Sequence, residues 1–236
     1  MSNLLTTSIG KKLLMSVSGL FLILFLFVHL TLNSFLLLDG VMGLQTGQMF
    51  NAGSHFMSTN PLIKIIEPIL ALGFIVHILY SLILTFQNRK ARGPQRYASG
   101  NKTTGVEWAS KNMLVLGIAI LAFLIVHMID FFLRIRGYIA WTPAEVEFPF
   151  FGTIVKGEDD YSLVNSTFKI LPVVILYAIG SIALAFHLSH GFWSSFQTIG
   201  LNNTKWMPRL KWISSILAII LGGGFTVIAV GQYLFF

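Results

Sequence analysis

The sequence predicts an all-α integral membrane protein with five transmembrane helices, and three observations lead to this prediction. Of its 236 residues, 55% are hydrophobic and only 11% are charged, whereas soluble domains carry about 25% charged residues. Five apolar stretches are long enough to cross about 30 Å of hydrocarbon, which takes about 20 helical residues. Finally, the basic residues lie in short segments between these stretches, as is typical of membrane proteins.

Composition also excludes several classes of function. The net charge is +7, but a nucleic-acid-binding protein needs a basic face on a soluble domain, so no nucleic-acid partner is predicted. The chain contains no Cys. It therefore has no disulfide and no Cys-ligated zinc or iron–sulfur site of its own.

The five predicted helices belong to one transmembrane domain that covers residues 1–236. Their expected ranges are 13–38, 62–86, 112–133, 168–192 and 212–236. The first range is too long for the apolar core of a signal peptide, and no small-x-small cleavage pattern follows it. Gly222, Gly223 and Gly224 predict close packing of the fifth helix against a neighbouring helix or a second copy of the chain.

The distribution of charge predicts that the N-terminus is cytoplasmic. With that orientation, most acidic residues fall in a long outer segment between the third and fourth helices, which includes Glu145, Glu147 and Glu158. Eleven of the sixteen basic residues fall on the inner side: Lys11, Lys12, Arg89, Lys90, Arg92, Arg96, Lys102, Lys111, Lys205, Arg209 and Lys211.

Each of the first four helices carries a histidine near the membrane interior, and the fifth has none. Because ionisable groups are costly inside a bilayer, such residues indicate a functional site. His190 lies one turn beyond the fourth of these histidines, and His55 is predicted to be an ordinary loop residue. The four are His29, His77, His127 and His187.

The depths of these histidines predict two pairs. His29 lies seventeen residues after Lys12, and His127 lies sixteen after Lys111, so both belong in the outer half. His77 lies twelve residues before Arg89, and His187 about ten before the expected end of its helix, so both belong in the inner half. At 1.5 Å per residue, the two levels differ by roughly 5–10 Å.

Two facing helices with one neutral imidazole each, at one level, are what a bis-histidine haem requires. The sequence therefore predicts four helices bundled around two stacked b-type haems, with His29 and His127 holding the outer one and His77 and His187 the inner one. Gly73 lies on the same helical face as His77 and would let a flat macrocycle approach the backbone. His190 is the alternative to His187.

The four histidines also allow two interpretations that involve no haem. A lone intramembrane histidine is often a hydrogen-bond partner between helices. The alternative function is a membrane transporter that uses these histidines as proton or metal relays.

Four segments resemble the cytochrome b membrane-anchor subunit of succinate dehydrogenase and fumarate reductase, in its single-chain, five-helix, di-haem form. They are VHLTLNS around His29, VHILYSL around His77, VHMID around His127 and HLSHGFW from His187. The resemblance covers essentially the whole chain and rests on the order of these segments, one per helix.

The resemblance implies the same two ligand pairs and a function in electron transfer. It implies an assembly with a flavoprotein subunit that carries FAD and an iron–sulfur subunit, in a bacterial cytoplasmic membrane, with possible dimerisation of the whole complex. The dicarboxylate chemistry would take place on the flavoprotein, so no catalytic residue is predicted here. The basic segments Arg89–Arg96 and Lys205–Lys211 would help to dock the iron–sulfur subunit.

Two carboxylates are candidates for a quinone site, with menaquinone as the expected substrate. Asp130 lies three residues after His127, and Glu67 lies at the outer end of the second helix. Both can equally be solvated helix ends or contacts of a haem propionate. Some fumarate reductase relatives carry a proton-transferring carboxylate two residues before the fourth ligand, where this chain has Ala185.

Overall fold

The computed structural model describes residues 7–39, 45–92 and 108–236. Five helices are long and apolar enough to cross a membrane, which confirms the predicted fold class. The first, second, third, fourth and fifth spans are Ser8–Leu38, Pro61–Arg92, Met113–Ile135, Leu171–Thr198 and Trp206–Phe235.

Some helix limits differ from the sequence prediction. Phe168 does not begin the fourth span, because it ends a separate helix, Asp160–Phe168. The fourth span begins at Leu171, with Pro172 in its first turn, where the missing N–H costs nothing. The fifth span begins at Trp206 and includes Pro208 in its first turn, because polar residues continue the helix outside the apolar stretch.

The spans do not all pack against one another. The first span packs against the second and fourth, and the third packs against the fourth. Among the described residues, the second and third spans do not pack along their length. An ion pair between Glu67 and Arg136 joins them at one end of the bundle. This end is called the outer end below, and the opposite end the inner end, after the orientation that the charge distribution predicts. The four-helix bundle is therefore open along one side.

The fifth span closes the opposite side of the bundle through close contacts. A Cβ atom on Gly222 would lie 2.5 Å from Cβ of Ala185, and one on Gly224 would lie 2.9 Å from Cδ1 of Leu30. Gly222 thus packs against the fourth span and Gly224 against the first, while no described atom lies near a Cβ on Gly223. A carboxylate at position 185 would point into this crossing.

Two buried polar side chains fasten the fifth span to its neighbours. The Ser214 hydroxyl donates to the carbonyl oxygen of Leu188 at 2.8 Å. The Gln232 amide donates to the carbonyl oxygen of Leu36 at 2.7 Å. The Ser214 hydroxyl also lies 2.8 Å from the carbonyl oxygen of Ser189. Both side chains thus hold the fifth span to the backbone of a neighbouring helix.

A cap of two short helices covers the outer end of the bundle. The outer helix, Gln48–Thr59, contains His55, which therefore does not lie in a loop. The buried carboxylate of Asp39 accepts from the backbone N–H of Gly47 at 2.5 Å and of Met49 at 2.9 Å. These bonds tie the start of the outer helix to the end of the first span.

Hydrogen bonds also tie the outer helix to the second helix of the cap, Asp160–Phe168. Asn51 donates to Asp159 at 2.9 Å and accepts from the backbone N–H of Tyr161 at 2.8 Å. The Ser54 hydroxyl donates to Asp160, whose burial raises its pKa. Polar side chains therefore join the two cap helices, while Val164 and Phe168 bury the second one in the apolar core of the bundle.

A β-hairpin that the sequence analysis did not predict completes the outer side. Strands β1, Glu145–Phe150, and β2, Thr153–Glu158, pair in antiparallel orientation. The register pairs Glu145 with Glu158 at the base and Phe150 with Thr153 beside the turn. Charged residues lie near the base, and aromatic residues lie near the tip.

Candidate functional site

His29 of the first span and His127 of the third lie together in the outer half of the bundle. Their ring centroids are 5.6 Å apart and their planes are perpendicular. Phe25 stacks on His29 at 5.2 Å, and Phe123 stacks on His127 at 5.9 Å. Tyr177 lies 6.0 Å from His127. This outer pair is therefore enclosed by aromatic rings.

His77 of the second span and His187 of the fourth form an inner pair. Their ring centroids are 6.3 Å apart, with an angle of 71° between the planes. Nδ1 of His77 lies 3.3 Å from the carbonyl oxygen of Met15 and 3.4 Å from the Ser18 hydroxyl. A Cβ atom on Gly19 would lie 3.2 Å from Cε1 of His77. The first span thus fits closely against this imidazole.

The two pairs are those that the spacing along the helices predicts, although their role as ligands stays a prediction. An imidazole nitrogen binds a metal ion at about 2.0–2.1 Å, so two rings on opposite sides of one ion have centroids about 6.3 Å apart. The observed separations of 5.6 and 6.3 Å are close to this value.

The surroundings of the pairs are compatible with a haem. Nδ1 of His127 and Nδ1 of His187 are buried without a hydrogen-bond partner. In the described part of the chain, no three His, Asp or Glu side chains are grouped to hold a metal ion. An ion between either pair would thus need further donors, which a porphyrin supplies.

Sequence comparison gives one informative relative. The chain is 26% identical over 199 residues to the succinate dehydrogenase cytochrome b558 subunit of Bacillus subtilis, covering 84% of this chain and 81% of that subunit. The chain is a relative of this cytochrome b subunit. The resemblance to the cytochrome b anchor subunit of succinate dehydrogenase is therefore confirmed. No family model matches the chain, and no solved structure matches it.

Gly73 and His190 each lie beside an aromatic side chain, and their predicted roles near a haem stay predictions. A Cβ atom on Gly73 would lie 3.0 Å from the ring of Phe21, so this glycine allows the first and second spans to approach. The ring of His190 packs against Trp193 at 4.6 Å. In the inner pair, His187 rather than His190 lies next to His77.

The two carboxylates predicted for a quinone site have different partners in this chain. Asp130 lies in a π-helical turn, Met128–Phe132, directly after His127, and accepts a hydrogen bond from the Tyr177 hydroxyl at 3.0 Å. Such turns are frequent at functional sites. Glu67 is paired with Arg136. Their assignment to a quinone site stays a prediction.

The predicted docking segments are only partly described. Arg96, which ends the first segment, lies outside the described residues, as does the basic residue Lys102 beyond it. In the second segment, Arg209 lies over the ring of Trp206 at 5.5 Å, and Lys211 lies over the ring of Trp193 at 4.6 Å. These two cations thus lie against aromatic rings at the inner end of the bundle.

Proposed function

We propose that this chain is the di-haem membrane subunit of a succinate:quinone oxidoreductase. In this proposal it anchors a flavoprotein and an iron–sulfur subunit and transfers electrons between the iron–sulfur subunit and a membrane quinone, with menaquinone as the expected quinone. The observation that carries the proposal is the presence of two histidine pairs at two depths, with ring separations of 5.6 and 6.3 Å.

His29 and His127 would hold the outer haem b, and His77 and His187 the inner one. Haem iron supplies one-electron chemistry, while the protein fixes the ligands and their surroundings. In the tautomer with a proton on Nδ1, His77 donates to the carbonyl oxygen of Met15 and leaves Nε2 for the metal. Such a bond sets the ring orientation and raises the basicity of the ligand.

The position of the partner subunits follows from the charge distribution. In the proposed orientation the N-terminus is cytoplasmic, the membrane is a bacterial cytoplasmic membrane, and the basic inner segments face the iron–sulfur subunit. Electrons would then pass the inner pair before the outer pair when succinate is oxidised. The iron–sulfur clusters would belong to a partner subunit, because this chain has no Cys to ligate them. FAD would belong to the flavoprotein subunit. The transporter alternative has no supporting observation.

The test is a reduced-minus-oxidised spectrum with haem quantitation on the purified full chain. We expect two b haems per chain. Single variants His29→Ala, His127→Ala, His77→Ala and His187→Ala should each lose one haem, and the spectra should fall into the two predicted pairs.

The matched controls are His55→Ala and His190→Ala, which should retain both haems. A folded wild-type chain without haem would overturn the proposal. Loss of a haem in His190→Ala together with its retention in His187→Ala would instead reassign the inner ligand.

A further inference from the structure

The tip of the β1–β2 hairpin combines a strained backbone with an exposed aromatic ring. Phe151 and Gly152 form the two-residue turn, with φ angles of 46° and 82°. Two positive φ values define a type I′ turn, whose first position favours Asn or Gly. Phe is an unfavourable residue there, yet 86% of Phe151 is exposed. The ring of Phe151 also lies 6.5 Å from the ring of Phe56, but this contact leaves most of the side chain exposed. Neither hairpin geometry nor burial therefore accounts for this choice of residue.

The apolar character of the tip extends beyond one side chain. The ring of Phe150 lies 4.7 Å from the ring of Phe151, and Ile154 is 66% exposed. At the other end of the hairpin, Lys156 lies 3.8 Å from Glu147. The hairpin is thus polar at its base and apolar at its tip. Exposed apolar patches of this kind usually mark a surface that is covered in the working protein.

The tip lies next to the outer part of the first span. Phe150 and Phe151 line a cavity of about 360 Å³ together with Leu32 and Phe35 of that span. Leu32 lies twenty residues after Lys12. At 1.5 Å per residue this is about 30 Å, which is the thickness of the hydrocarbon layer. The tip is therefore level with the outer boundary of the hydrocarbon.

The first span continues this apolar surface toward the membrane interior. Leu24 and Val28 are 64% and 46% exposed and lie eight and four residues before Leu32. Residues spaced in this way share one face of a helix. The cavity and the tip thus extend a surface that, on a membrane-spanning helix, already faces lipid.

We propose that the hairpin tip inserts into the outer lipid leaflet, with Phe151 among the acyl chains near the headgroups. The partner is the lipid of the surrounding membrane, and the polar base of the hairpin stays in water. An aromatic ring at this depth anchors the outer cap to the membrane surface. This inference does not depend on haem or on electron transfer.

Because the chain has no Cys, single-cysteine variants can carry nitroxide labels without background. The full chain is placed in nanodiscs of phosphatidylethanolamine and phosphatidylglycerol, and the access of oxygen and of a water-soluble nickel chelate to each label is measured. The label is placed at Thr153→Cys, beside the tip, with Leu24→Cys as the lipid reference and Glu145→Cys as the water reference.

We expect the label at position 153 to resemble the lipid reference, with high oxygen access and low nickel access. Adding Phe151→Asn should raise nickel access at position 153 while leaving both references unchanged. Asn is favoured in this turn, so the hairpin itself should remain intact. A label at position 153 that resembles the water reference would overturn the proposal. A label at position 153 that neither oxygen nor the nickel chelate reaches would also overturn it. The tip would then be covered by protein, for example by a second copy of the chain.

Discussion

The outer and inner halves of the bundle contain similar histidine pairs that are supported in different ways. In the outer half, aromatic rings enclose His29 and His127, and a cap held by buried polar bonds lies above them. In the inner half, His77 contacts the backbone and a hydroxyl of the first span. Aromatic packing thus dominates around the outer pair, where the Asn33 amide also lies 3.5 Å from Nδ1 of His29. In the inner pair, hydrogen bonds orient His77, whereas Nδ1 of His187 has no hydrogen-bond partner.

This difference has a consequence for the proposed haems. A ligand oriented by a carbonyl oxygen has a fixed tautomer and a higher basicity. A ligand enclosed by rings relies on the positions of its neighbours, which are sensitive to volume changes in a closely packed interior. The two pairs should therefore respond to different kinds of substitution.

The largest effects should come from two glycines that contact opposite pairs. Gly19→Val would press on His77, because a Cβ at that position lies only 3.2 Å from the ring. Gly180→Val would press on Phe123, which stacks on His127, since a Cβ there lies 2.5 Å from Phe123. We expect the first variant to lose the inner haem and the second the outer haem, measured by haem quantitation.

The control for both is Gly117→Val, because no described atom lies within 4 Å of a Cβ at Gly117. This variant should keep both haems. Equal loss of both haems in Gly19→Val and Gly180→Val would mean that the halves are not independent.

An effect of intermediate size is expected on the stability of the cap in the outer half, and this effect should depend on pH. Burial is the main cause of the raised pKa of Asp160, so its protonated form is favoured in the folded cap. The folded state then binds more protons than the unfolded state, and stability falls as pH rises above the ordinary value of 3.8 toward the raised pKa. Asp160→Asn should raise the melting temperature at neutral pH and remove this pH dependence.

The exposed residue Glu145 supplies the matched control. Glu145→Gln should leave both the melting temperature and its pH profile nearly unchanged. A lower melting temperature for Asp160→Asn at neutral pH would contradict the prediction, because it would mean that the ionised carboxylate stabilises the cap.

The smallest effect is expected on the reduction potential of the inner haem. Ser18→Ala removes the hydroxyl that lies 3.4 Å from Nδ1 of His77 but leaves the carbonyl oxygen of Met15. A neutral hydrogen bond contributes about 1 kcal/mol, so the inner haem potential should rise by no more than about 40 mV. A redox titration measures this shift, and Ser34→Ala, whose hydroxyl bonds within its own helix, is the control.

Much of the architecture is readable in the sequence because the bilayer fixes helix length and depth. Counting residues from Lys12 and Lys111 is enough to bring His29 and His127 to one level. Residue counting does not predict that Gly19 lies against His77 or that Tyr177 lies near His127. These contacts depend on how each helix is rotated about its axis. The rotation is determined by packing between spans.

The outer side was less predictable, for two reasons. In β1, Val146, Phe148 and Phe150 alternate with other residues, and this period of two was a usable signal for a strand. The Phe-Gly turn, however, lacks the usual Asn-Gly signature. His55 lies in a helix that also contains Asn51, Gly53 and Ser54, which have low helix propensity, so tertiary hydrogen bonds stabilise that segment.

The bond between Gln232 and the carbonyl oxygen of Leu36 joins residues that are 196 positions apart. During synthesis, the first span therefore enters the membrane long before its buried partner on the fifth span exists. Contacts of such large sequence separation form late, because a long chain must first be brought back on itself. All five spans must therefore be synthesised before the bundle can close.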